Sequence, residues 1–363
     1  MLPLIFLFNY ITAALFYQPL LDNYFKTEYT KLQMICNFGG SMLKKLFPLV
    51  LAALISISVC GCETTLPKKG DKLNIICTVF PLYDWTREIT GSNAEVSLLL
   101  KNGTDMHSYR PTAADLVKIV SSDVVIYIGG ESDEWIEKAL DRSPDVGRTE
   151  IRLMDYLGDN AIAEEEEHHH HDTEYDEHVW LSLKNAALFT EKIEEELSAK
   201  DKANAETYRL NANNYAERLS RLYKEYENVF NESPVKSAIF ADRYPFAYLF
   251  SDYGVTCYAA FPGCSAETEA SFETVISLAQ KADGLNLKYI FTTESPLSSV
   301  AETIKENTKH KNQKILRLNS MQSVTKEQIN SGTTYVSLSE YNLAQLKKAF
   351  SVVVFTPLDS TMY

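Results

Sequence analysis

At 363 residues the chain is long enough for about two domains, and 45% hydrophobic residues leave ample material for their cores. A formal charge of −14 argues against nucleic acid as a partner, because phosphate binding needs a basic face. Six cysteines in so long a chain are too few for a disulfide scaffold.

Met42-Leu43-Lys44-Lys45 supplies a start and a basic n-region, and "LFPLVLAALISISV" (46–59) is an apolar h-region of fourteen residues, short for a bilayer span. It runs into Val59-Cys60-Gly61-Cys62: a branched apolar residue, a small residue before the cut, then cysteine. This is the bacterial lipoprotein cleavage pattern, so residues 42–61 read as a signal peptide, Cys62 as the lipidated residue and 62–71 as a polar tether. Residues 1–41 read as a misplaced start, because Gly39-Gly40 ahead of Met42 are encoded by codons that can form a ribosome-binding site. The rival reading is a membrane segment in 2–21, interrupted by Asn9, Gln18 and two prolines.

Beyond the tether, "KLNIICTVF" (72–80), "AEVSLLL" (94–100) and "DVVIYIG" (123–129) have the β-rich apolar character of buried strands. Helical patterns lie between them: "PLYDWTREIT" closed by Gly91, and 112–122, where Thr112 caps a segment with Ala113, Leu116, Val117 and Val120 at helical spacing. Alternation of this kind predicts βα units on a parallel sheet. From 203 to 230 Tyr208, Ala212, Tyr215, Leu219, Leu222, Tyr226 and Val229 recur every three or four residues, predicting one long amphipathic helix uninterrupted by Gly or Pro. Strand patterns then resume at 236–241, 255–261, 288–294 and 314–319, and 334–350 reads as the terminal helix. The chain divides into a first α/β lobe (72–186), connecting helices (187–232), a second α/β lobe (233–350) and a tail (351–363) of no evident role.

Candidate metal ligands fall on loops or strand ends. His107 follows a strand and precedes a helix, where α/β lobes present ligands. His178 lies beside Val179, Trp180 and Leu181 at the edge of a packed region, with Asp176 and Glu177 at hand to orient its ring. Asp242 directly follows a strand. The acidic segment 164–172 holds His168, His169, His170 and His171; it cannot bury an apolar face and reads as a loop that gathers metal loosely. Imidazoles suit zinc, copper and nickel better than magnesium or calcium. Cys257 and Cys264 are close enough in sequence to pair outside the cell, though free thiols are an equal alternative.

As a set, "GTDMHSYRPTAADLVKIVSSDVVIYIGG", the acidic His-rich loop before "YDEHVWLSLKNA", "FPGCSAETEASFET" and "YVSLSEYNLAQLKKAF" resemble the metal-binding solute receptors of ABC transporters, and among them the zinc-uptake lipoproteins. The resemblance covers 72–350. It implies two similar α/β lobes with parallel sheets, joined by a rigid backbone helix. It also implies one divalent ion bound between the lobes with little lobe movement, and handed to a permease–ATPase complex by a lipid-anchored monomer. Carried over, the first two histidine ligands fall on His107 and His178, the third near "ADRYPF", where Asp242 is the donor, and the fourth in "LNSMQSVTKEQI". There Gln322 or Asn319 replaces the usual carboxylate, with water or Glu294 from a neighbouring strand end as alternatives. Two imidazoles with a carboxylate and an open position favour zinc as the transported ion, with manganese, which prefers more oxygen, as the alternative. Two further readings are a secreted zinc metallohydrolase, for which no HExxH motif is present, and a surface adhesin or metal buffer.

Overall fold

The computed structural model describes residues 72–100, 103–143, 147–163, 175–261, 270–294 and 299–351. The expectations for residues 1–71 with Cys62, for His168–His171, for Cys264 and for the tail after Ser351 lie outside these residues.

Two parallel four-stranded sheets form the frame. The first orders its strands β2-β1-β3-β4, from β1 (Leu73–Cys77), β2 (Ala94–Leu98), β3 (Val124–Tyr127) and β4 (Thr149–Arg152). The second runs β6-β5-β7-β8, from β5 (Ser237–Arg243), β6 (Thr256–Phe261), β7 (Tyr289–Thr292) and β8 (Lys314–Arg317). The order is the same in both, so the expected likeness of the lobes holds at the level of topology. Of the central strands β3 is buried throughout, as the continuous apolar run Val124–Tyr127 requires of a strand covered on both faces, and β1, β5 and β7 are buried over most of their length. β4 was not foreseen: "TEIR" buries only Ile151 and sits at a sheet edge, so it carries little apolar signal.

Around the first sheet lie α1 (Phe80–Thr90), α2 (Ala113–Ser121) and α3 (Glu134–Asp141); α4 (Leu183–Lys200) leads to α5 (Ala205–Glu232). The second lobe adds α6 (Ala247–Ser251), α7 (Phe272–Gly284), α8 (Ser299–Glu306) and α9 (Lys326–Asn330), and α10 (Tyr335–Phe350) ends the fold. α5 has 28 residues, about 42 Å at 1.5 Å per residue, and buries the apolar positions predicted for it. Its first half grips the first lobe, where Asn211 Nδ2 donates to the Ile89 carbonyl at 3.0 Å and Arg218 pairs with Glu88 at 2.8 Å. Its end packs Phe230 edge-on against Phe250 of the second.

α10 does the same, which the sequence division into lobes conceals. The Tyr335 N–H donates to Asp84 on α1 at 2.8 Å and its ring meets Trp85 edge-on, while Phe350 packs against Phe230 and Phe291. Two struts therefore join the lobes, and one hydrophobic core runs continuously from Ile75 to Phe350. A smaller core (Ile239, Leu278, Ile290, Ile304) is confined to the second lobe.

α2 departs from its pattern. Its buried residues are Asp115 and Ile119, whereas Leu116 and Val117 face outward. Asp115 closes a capping box with Thr112 and also accepts from the Tyr109 hydroxyl at 2.8 Å, and these local bonds turn the helix against its apolar period.

Candidate metal centre

Asp105 initiates the short 3₁₀ turn Met106–Ser108 by accepting the His107 N–H on its Oδ1 at 3.0 Å. Met106 is buried beneath, so His107 is pushed outward toward the mouth of the site. His178 precedes a second 3₁₀ turn, Val179–Leu181, whose three side chains are buried, and is itself fully buried. The two imidazoles meet with Nε2 atoms 3.2 Å apart.

The hydrogen bonds around them assign the tautomers. Asp176 Oδ1 accepts from His178 Nδ1 at 2.8 Å, so the proton of His178 sits on Nδ1 and its Nε2 offers a lone pair. His107 Nε2–H then donates to that lone pair, and His107 Nδ1 accepts from the Ser132 hydroxyl at 3.0 Å. A single proton thus occupies the space between two nitrogen donors. A cation entering there would have to displace it, and the His107 proton would then sit on Nδ1, on the side of Ser132 and Glu177. Burial lowers the His107 pKa, which keeps the ring neutral at neutral pH.

Glu177 turns toward His107, not His178. Its Oε1 accepts the Ser132 N–H at 2.7 Å, and Oε2, buried without a hydrogen-bond partner, lies 3.8 Å from His107 Nδ1. Burial raises the Glu177 pKa. This close approach needs Gly130, where an added Cβ would overlap the Glu177 carboxylate. Neither Ser132 nor the role of Glu177 at His107 was foreseen, although "GGES" (129–132), one residue past β3, is a strand-end turn of the kind that lines α/β sites.

Of the remaining candidates, Gln322 reaches the pair. Its amide Nε2 lies 3.4 Å from His107 Nε2, and the amide can turn to present Oε1 instead. Met321, with its left-handed φ of 64° and buried side chain, delivers Gln322 to that place. Asn319 is used inside the same loop, its Oδ1 accepting the Met321 N–H at 2.8 Å. Glu294 fastens the loop from below: its two oxygens accept the Ser320 N–H and hydroxyl at 2.8 and 2.6 Å.

Asp242 is not brought to the histidines. A register shift in β5 between Phe240 and Arg243 leaves its carboxylate accepting the Arg243 N–H at 2.8 Å and the Thr293 N–H and hydroxyl at 3.2 and 2.6 Å. Among the described residues, no three His, Cys, Asp or Glu side chains are grouped to hold a metal ion. The neighbouring Arg243 points instead to the first lobe, where its Nη1 donates to Asp105 Oδ2 at 2.9 Å. Cys257 is a free thiol, its pKa pushed up to about 12 by burial.

The family of the periplasmic component A of zinc-uptake complexes, ZnuA, matches residues 75–349. The chain belongs to that family. The zinc-binding lipoprotein AdcA of Streptococcus pneumoniae is 32% identical over 313 residues, which is 84% of this chain and 61% of AdcA. This ZnuA-family chain therefore spans about three fifths of that relative's length. The high-affinity zinc uptake system protein ZnuA of Bacillus subtilis is 28% identical over 84% of this chain and 96% of its own. Among solved structures, the Zn(II)-bound ZnuA-like domain of S. pneumoniae AdcA shares 31% identity at a TM-score of 0.65, covering 77% of this chain and 100% of the domain. The metal-dependent lipoprotein YcdH of B. subtilis shares 26% at a TM-score of 0.67, with the same coverages. The two-lobed α/β fold predicted from the sequence is the fold of these ZnuA-like receptors.

Proposed function

We propose that this protein is the extracytoplasmic, lipid-anchored receptor of an ABC importer for zinc, a binding protein and not a hydrolase. In this reading it captures one ion between His107 and His178, is tethered to the membrane through Cys62, and releases the ion to a permease driven by an ATPase. The observation that carries it is the pair of facing Nε2 atoms, held neutral and backed by Asp176 on one side and Ser132 on the other.

Two imidazoles with carboxylate and hydroxyl partners behind them are a zinc-type donor set. Gln322 Oε1 is proposed as the third protein donor, brought from the loop after β8, so the ion bridges the lobes. Amide oxygen is a weak ligand, which suits a receptor that must let its cargo go. The segment with His168–His171 is proposed to collect ions ahead of this site. The family match and the zinc-named relatives support the same cargo.

Metal analysis of the purified protein with zinc–manganese competition tests the reading. One zinc per chain is expected, with tight binding abolished by His107→Ala and by His178→Ala separately. If both variants keep one-to-one zinc affinity the site is refuted, and preference for manganese would reassign the cargo. Loss of growth under zinc limitation after gene deletion tests uptake; undiminished growth would favour an adhesin or a buffer.

A further inference from the structure

We propose that Arg243 is a positioning residue for the bound ion. From the second lobe, and through Asp105, it locks the turn that carries His107 in the first lobe, and so sets how long zinc stays. The proposal deepens the receptor reading and rests on it.

One carboxylate makes both connections. Asp105 Oδ1 accepts the His107 N–H at 3.0 Å, while Oδ2 accepts Arg243 Nη1 at 2.9 Å. Arg243 is in turn fixed at its backbone by Asp242, 1% exposed, whose other oxygen is bonded twice to Thr293 just past β7. A line of short polar contacts thus runs from the second sheet to the backbone of His107. Asp242, expected as a ligand, is the anchor of this line.

Magnitudes decide between two opposing effects. A guanidinium near a divalent cation repels it, but the Asp105 carboxylate at 2.9 Å offsets that charge. As a surface salt bridge, with side chains 28% and 33% exposed, the pair adds little to stability. Its effect lies in orientation, since partners that orient a ligand are worth about 10–100-fold in metal affinity. Removing Arg243 therefore loosens His107 and speeds release.

The test is stopped-flow release of zinc into a chelator, with capture rates, for wild type, Arg243→Met, Asp105→Asn, the double variant and Arg243→Lys. Asn at 105 keeps the cap on His107 but loses the ion pair. Each single variant is expected to release zinc about 10-fold faster with nearly unchanged capture. The double variant should be no worse than the worse single one, because the two act through one contact. Arg243→Lys should restore part of the retention. Melting of the zinc-free variants at the wild-type temperature is expected, and a large drop shared by the Lys variant would assign the effect to folding and overturn the proposal. Unchanged or slower release from Arg243→Met, or additive effects, would also overturn it. His178→Ala is the control for the site itself: if it retains zinc, the receptor reading fails, whereas zinc bound through His178 with unaltered release from Arg243→Met defeats only the lock.

Discussion

Asp84 is a carboxylate 3% exposed, held at the junction of α1 and α10. Burial pushes its pKa up to about 6, against the pull of the Tyr335 N–H that it accepts. A raised acid favours the folded state fully below about pH 4, and that contribution is lost as pH rises through about 6. Asn imitates the protonated acid and keeps the acceptor for Tyr335. Asp84→Asn is therefore expected to stabilise the protein at pH 7 by up to about 3 kcal/mol, with the gain gone at pH 4; thermal unfolding at both values checks it, and equal gains at both would contradict the assignment. At this scale sequence reading singled out His107, His178 and Gln322, and the fold brings them together, His107 Nε2 lying 3.2 Å from His178 Nε2 and 3.4 Å from the Gln322 amide. Asp242, singled out with them, is held instead by Arg243 and Thr293, because position at a strand end does not say which way a carboxylate turns once a bulge intervenes. The Arg243 side chain has its partner, Asp105, 138 residues away, a pairing that no local pattern in the sequence marks.

Elements were legible where burial is periodic. α5 shows this well, each of its predicted apolar positions being buried. Where local polar bonds or an edge position outweigh periodicity the reading weakens, as for α2 with its capping box and for β4 with one buried residue. α10 was found as a helix, yet its bridging role rests on contacts remote in sequence. Its Tyr335 hydroxyl donates to the Trp180 carbonyl at 2.6 Å, and Trp180 Nε1 donates to the Ser320 carbonyl at 2.9 Å. That chain ties the helix to the turn after His178 and to the loop of Gln322. Tyr335→Phe leaves a buried carbonyl unpaired and should cost about 1–3 kcal/mol. Urea unfolding is expected to show a lower midpoint at unchanged slope; an unmoved midpoint would mean that the bond contributes nothing.

At the scale of the whole molecule, the continuous core predicts that the lobes melt together. Trp85, Trp135 and Trp180 all belong to the first lobe, so their fluorescence reports that lobe together with its contacts to Tyr335 and Ser320, while far-ultraviolet dichroism reports helices and strands of both lobes. The two signals should coincide, and free zinc at 100 times its dissociation constant should add about 2.7 kcal/mol to both. Separate transitions would show that the struts do not couple the lobes. The bilobal plan itself was legible because each lobe repeats an alternation of strand and helix; the shared core was not, since Trp85 and Tyr335 stand far apart along the chain.

Two struts, each fixed at both ends, also make the molecule a caliper set before any partner is met. On the receptor reading proposed above, its span should change little when an ion comes aboard. On that reading, a permease that admits only loaded receptors would have to read the difference from the few atoms at the mouth, the turn of His107 and the amide of Gln322, as a finger reads a raised dot.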